Sequence, residues 1–138
     1  MIRELVLTVA GKGLHECTEE IARVVCDSGV EDGLCTVFVR HTSASLLIQE
    51  NADPSARRDL EAWFERLVPP GDRLYTHTLE GPDDMPAHIK AALTAVSLSV
   101  PVVGGRLGLG TWQGVYLWEH RRAGHARQIV VTVSGDAG

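Results

Sequence analysis

The sequence predicts an α+β fold, a two-layer antiparallel β-sandwich or curled sheet of jelly-roll-like character with helices packed outside. Three observations carry this expectation. Segments with strand character outnumber those with helical character, helical segments occur only in the first two thirds, and the last third is β-rich with glycine-containing loops. A single domain over residues 1–138 suits the length, which allows a real core without staples.

Leu5, Leu7 and Val9 alternate with Val6 and Thr8, so residues 2–10 read as an opening strand that Gly11 and Gly13 end. Thr18 is a candidate N-cap, Glu19 and Glu20 suit the positive helix end, and Ile21, Val24 and Val25 form an apolar stripe. Gly29 fits the left-handed position after it, giving a helix over 18–28. Residues 34–40 are rich in β-formers, and Ser45–Gln49 supplies a further short strand.

Asp53-Pro54 opens a second helix as cap and first-turn proline. Ala56, Leu60, Trp63, Phe64 and Leu67 follow at helical spacing until Pro69-Pro70. A third helix runs from Asp84 to Thr94, with Asp83 or Asp84 as its cap. Val96–Val103, Gly114–His120 and Gln128–Val133 complete the strands. On the strand 115–120, Val115, Leu117 and Glu119 share one face and Tyr116, Trp118 and His120 the other.

Composition narrows the function classes. The formal net charge of −5 disfavours a nucleic-acid partner, which needs a basic surface to neutralise phosphates. No apolar run reaches the roughly 20 residues of a membrane helix, and no signal-peptide core stands at the N-terminus, so a cytoplasmic protein is expected. Cys17, Cys26 and Cys35 form neither a disulfide framework nor a CxxC motif and read as buried free thiols.

Chemistry concentrates in residues 77–90, where His77, Glu80, Asp83, Asp84 and His88 lie beside Gly81, Pro82 and Pro86. A helix starting at Asp84 puts Asp84 and His88 on one face, one turn apart. His41, with Thr42, Ser43 and Ser45, offers a further imidazole and three hydroxyls. His41, His77 and His88 fall at element ends, so they can be gathered as ligands of Zn²⁺ or a similar ion, or can remain separate surface residues.

Asp84 and Glu80 suit a ligand or an orienting role. Trp112 and Gln113 pair an aromatic plane with an amide, able to hold a flat heterocycle or simply to join the core. Glu119 ends an apolar row, either reaching water or entering the pocket. Arg121, Arg122 and Arg127 flank the last loop and could attract phosphates. Residues 104–114 fail as a phosphate loop, since Gln113 stands at the third glycine position and no helix follows.

These segments resemble the YjbQ-like family, the former UPF0047 group, whose members carry the description of secondary thiamine-phosphate synthases. The resemblance rests on His41-Thr42-Ser43-Ala44-Ser45 running into Glu50-Asn51-Ala52-Asp53-Pro54, on Asp84 through Lys90, and on Leu109 through Gly114 leading to Glu119-His120-Arg121. It covers most of the chain; Gln49 stands where asparagine is frequent, and Ala95 lies where glycine is frequent.

The resemblance implies a β-sandwich assembling as a homotrimer. It also implies one pocket lined by His41, His77, Asp84 and His88, with Gln113 and Glu119 near. The implied activity is a transferase reaction on small phosphorylated heterocycles, in which a ring nitrogen displaces pyrophosphate with help from a divalent cation, Zn²⁺ or Mg²⁺. His41, His77 and His88 are then the candidate ligands, and Asp84 and Glu119 orient them or move a proton. Thr42, Ser43, Ser45 and Arg121 meet phosphate, and Trp112 and Gln113 the heterocycle. A metal-dependent hydrolase and a non-catalytic trimeric binding module are the competing expectations.

Overall fold

The structure is a computed structural model and describes residues 1–138. Eleven elements follow in order: β1 (Ile2–Val9), β2 (Gly13–Glu16), α1 (Thr18–Ser28), β3 (Val30–Val39), β4 (Ala44–Glu50), α2 (Pro54–Leu67), α3 (Asp84–Leu93), β5 (Ser97–Val103), β6 (Arg106–Leu107), β7 (Gln113–Glu119) and β8 (His125–Ala137). All strand pairs are antiparallel, in a five-stranded sheet ordered β1-β8-β3-β5-β6 and a three-stranded sheet ordered β2-β7-β4. The fold is thus α+β with two facing antiparallel sheets, as the sequence predicts.

The strand alternation explains the layers. Val115 and Leu117 face the main core with Val37, Val39, Ile129, Val131 and the α1 stripe of Ile21, Val24 and Val25. Tyr116 and Trp118 face the other way and pack with Leu14, Phe64 and Val68, so α2 covers the outer face of the three-stranded sheet. β7 is therefore buried on both faces, with Gly114 through His120 all buried.

Several local expectations are corrected. Cys17, not Thr18, occupies the N-cap of α1; the Thr18 hydroxyl donates to Glu16 and accepts from Val115 N–H, tying the helix start to β7. Asp53 does cap α2, its carboxylate accepting from Ser55 N–H at 2.9 Å. Neither Asp83 nor Asp84 caps α3 with its side chain, because both carboxylates are taken by other partners. Trp63 and Leu67 stay exposed, and Phe64 alone is buried among the α2 residues. Cys17 and Cys35 are buried free thiols, whereas Cys26 is exposed.

Candidate metal centre

The site is built where the α2–α3 connection, the start of α3, the β3–β4 turn and the end of β7 converge. The left-handed Gly81, with φ near 108°, turns the chain into α3. Asp84 and His88 then stand at i and i+4 on the helix, and His77 reaches them from the preceding loop. His77 Nε2 donates to Asp84 Oδ2 at 2.8 Å, and His88 Nε2 lies 3.4 Å from the same oxygen. The two imidazole rings meet edge to face with centroids 5.1 Å apart. One donor atom from each of His77, Asp84 and His88 lies within 4.8 Å of the others.

Hydrogen bonding fixes the chemistry of His88. Its Nδ1 lies 3.0 Å from the Thr42 carbonyl, which can only accept, so Nδ1 carries the proton. Nε2, on the other side of the ring, points to Asp84 Oδ2 and meets it either as a donor, with a proton, or as a lone pair, without one. The 3.4 Å contact therefore calls for a positive species between the two atoms, a proton on Nε2 or a bound cation.

Around them, one guanidinium serves three carboxylates. Arg121 Nε donates to Asp83 Oδ2 at 3.1 Å and Nη1 to Asp84 Oδ1 at 2.9 Å, with Glu80 Oε2 at 3.7 Å. Arg122 N–H adds a bond to Asp83 Oδ2 at 2.9 Å. Burial pushes the Asp83 carboxyl up, but the Arg122 and Arg121 bonds outweigh it and hold the group below the usual carboxylate range. With Arg121 alone balancing Asp83, Asp84 and Glu80, the cluster has a surplus of negative charge.

His41 does not join this cluster. Its Nε2 accepts from Gln128 N–H at 2.8 Å, so the ring proton sits on Nδ1 and neither nitrogen offers a free lone pair. Burial first, then the Arg127 charge, pushes its imidazole down. It shares with His88 and Thr42 a cleft of about 260 Å³. The expected three-histidine centre is replaced by two histidines and one carboxylate.

The other predicted contacts are mostly used within the fold. Glu119 is fully buried and paired with Arg127 through both its oxygens, and it also accepts from Arg121 N–H at 3.1 Å. Arg127 Nη2 reaches the Ser43 hydroxyl at 3.0 Å. The Ser45 hydroxyl lies 2.8 Å from His120 Nε2 in the interior. Thr42 contributes its backbone carbonyl rather than its hydroxyl. Arg121 is committed to carboxylates and the Glu80 carbonyl.

Trp112 and Gln113 lie outside the site. Gln113 and Glu119 end opposite tips of β7, about 20 Å apart at ~3.3 Å per residue. Trp112 is 64% exposed, and the Gln113 side chain accepts from Gly110 N–H at 2.8 Å to close a turn. Within one chain these residues hold no ligand near the histidines.

Two features of the site have no strong local signal in the sequence. Arg127 falls on the inward parity of β8 with Ile129, Val131 and Val133, a signal that alternation could have supplied. The loop after α2 also forms a cleft of about 520 Å³ lined by Arg73, Tyr75 and His77, among others.

Comparison with known proteins agrees with the fold and with the motifs. The profile of the UPF0047 protein YjbQ-like family matches residues 3–136. The chain belongs to the YjbQ-like family. It is 60% identical over 132 residues to UPF0047 protein sll1880 of Synechocystis, covering 96% of this chain and 90% of that one. It is 44% identical to YjbQ of Escherichia coli O157:H7, with 97% of each chain covered.

A crystal structure of an uncharacterized YjbQ/UPF0047 protein from Clostridium acetobutylicum superposes with a TM-score of 0.87 at 36% identity, over 96% of this YjbQ-like chain and 99% of that one. A conserved hypothetical protein of Thermus thermophilus gives 0.86 at 32% identity, with the same shares covered. No helix is long and apolar enough to cross a membrane.

Proposed function

We propose that this YjbQ-like chain is a metal-dependent enzyme acting on a small phosphorylated substrate, with phosphoester hydrolysis as its reaction. One observation carries the reading: donor atoms of His77, Asp84 and His88 lie within 4.8 Å of one another, inside a cluster of carboxylates that Arg121 alone balances. That arrangement fits a cation. Two imidazoles and a carboxylate suit Zn²⁺ or another first-row transition ion better than Mg²⁺, which prefers oxygen ligands. Three protein donors leave a position for water.

When bound, such an ion supplies an activated water and neutralises charge on a phosphoryl oxygen. The Thr42 carbonyl holds the His88 ring and Arg121 holds Asp84 Oδ1, so both donors are oriented from outside. In the net reaction the water oxygen joins phosphorus, the ester P–O bond breaks, and a water proton leaves with the alcohol. The phosphorylated nature of the substrate is carried by the family resemblance.

Thiamine-phosphate synthase activity is the second reading, carried by the same resemblance. It needs Trp112 and Gln113 to reach the cluster from a neighbouring subunit, because in one chain they stand at the other tip of β7. A homotrimer is part of the proposal. Its support is the outer face of the five-stranded sheet, where Val6 is 59% and Phe38 45% exposed beside Ile2, Leu34 and Val103. Replacing Val6 and Phe38 together by Glu is expected to reduce the mass measured by light scattering from three chains to one; an unchanged mass would mean this face is not the interface. A cytoplasmic location is also proposed, supported by three unpaired cysteines.

Elemental analysis of untagged protein tests the metal. About one transition ion per chain is expected, lost in His77→Ala, Asp84→Ala and His88→Ala and retained in His41→Ala. Phosphate release from a panel of phosphomonoesters should follow the ion. Ion binding without turnover on phosphoesters or thiamine precursors would instead favour the binding module, and no ion after deliberate loading would sink the metal reading.

A further inference from the structure

The two histidines of the His77–Asp84–His88 cluster, with ring centroids 5.1 Å apart, each line a cleft, and the two clefts differ in chemistry. His77 lines the larger cleft with Arg73 and Tyr75. Arg73 is exposed and, unlike Arg121, has no carboxylate partner. Asp72 also lines this cleft, but its Oδ1 accepts from Leu74 N–H at 2.9 Å within the loop. Arg73 is therefore a guanidinium available to an anion beside the cluster.

His88 lines the smaller cleft with His41, Thr42, Ala91, Ala92 and Val96. Ala91 and Ala92 follow His88 at i+3 and i+4, so one face of α3 runs from the Asp84 carboxylate through the imidazole to bare methyl groups. Alanine at these places leaves the space that a larger side chain would fill. The cleft of about 260 Å³ is open to solvent and presents Ala91, Ala92 and Val96 as an apolar wall against which one face of a ring can lie.

We infer that the two clefts are halves of one substrate site, and that the substrate is a phosphomonoester of a compact aromatic or branched apolar alcohol. The phosphoryl group lies towards Arg73 and Tyr75, the scissile P–O bond lies at the cluster, and the alcohol lies against Ala91, Ala92 and Val96. This assignment rests on the cluster being the reacting centre. It adds what the cluster alone leaves open, the polarity of each end of the substrate.

Non-hydrolysable phosphonates test it by calorimetry on metal-loaded protein. Phenylphosphonate is expected to bind at least about tenfold more tightly than methylphosphonate, the difference reporting ring burial. Ala92→Trp fills the apolar half from an exposed position on α3. It should abolish that preference while methylphosphonate binds as before. Arg73→Gln should weaken both ligands by about tenfold or more, as loss of a charge-assisted contact does.

Equal affinities for the two phosphonates, or a preference that survives Ala92→Trp, would overturn the apolar half. Unchanged binding in Arg73→Gln would overturn the anionic half. The metal reading fails separately. If elemental analysis finds no ion yet the preference and both variant effects persist, the two-part site stands and the metal falls. If the ion is bound but no preference exists, the reverse holds.

Discussion

Replacing Glu119 by alanine is expected to destabilise the fold by about 3–5 kcal/mol, the cost of leaving one member of a buried ion pair alone. Glu119 has no exposed surface, and Arg127 is almost as deeply buried. Each carboxylate oxygen accepts from Arg127, and Oε2 also accepts from Arg121 N–H. Truncation thus strands a guanidinium in the interior with only Ser43 to receive it. Denaturant unfolding should show the loss as a lower midpoint at unchanged slope. Glu119→Gln keeps the shape and one acceptor and should cost less. If both variants unfold like the wild type, the pair is not structural, and a role for Glu119 towards substrate returns. The pair also explains why the sequence alone leaves Glu119 open between pocket and surface: its partner Arg127 reads as a residue flanking the last loop, outside the strand 128–133, and only the longer β8 brings it inward.

The elements that were legible are those with a strong local signal. The proline-started α2, the αL glycine after α1 and the alternation of β7 each predict their structure because local chemistry and tertiary packing agree. Gly13–Glu16 is not legible in the sequence, because Gly-Leu-His-Glu has no strand propensity of its own and becomes a strand only by pairing with Tyr116–Glu119. β8 extends beyond the expected Gln128–Val133 at both ends for a similar reason. His125 pairs with Val9 and Ala137 with Val30, so its length is decided by its neighbours.

At the site, the i, i+4 spacing made Asp84 and His88 legible, and the loop carrying His77 lies close enough in sequence to be grouped with them. His41 had the right residue type in the right neighbourhood, but its hydrogen bond to Gln128 depends on a strand 87 residues away. Arg121 was read as an anion contact because its charge was visible while its three carboxylate partners were not. Once Asp83, Asp84 and Glu80 claim it, the positive charge available to a substrate has to come from elsewhere, and Arg73 is the arginine lining the cleft beside His77. The chemistry of the cluster shifts accordingly, from anion binding by Arg121 to cation binding by the surplus acid.

Acid is expected to unfold the chain early, and His120 is the reason. Its ring is buried between Phe64 and Trp118, with Nε2 on Ser45 and Nδ1 lacking any nitrogen or oxygen partner. Burial first, then the charges of Lys90, Arg127 and Lys12, pushes its imidazole down to about 3 from the ordinary 6.5. The unfolded chain therefore takes up a proton on this histidine below pH 6.5, while the native chain does not until pH nears 3. Stability is fully present above 6.5 and falls as pH falls, by about 1.4 kcal/mol per unit once below the unfolded value, or roughly 2–3 kcal/mol by pH 4.5. His41, shifted the same way, adds to the slope. Asp83 and Glu65, held below their usual range, contribute only at more acidic pH, as their native carboxylates protonate. Denaturant midpoints measured from about pH 7 to about 4.5 should thus decline in wild type and much less in His120→Phe, which begins less stable because Ser45 loses its partner but carries no titrating ring. Parallel declines in the two proteins would mean that His120 is not held neutral in the fold.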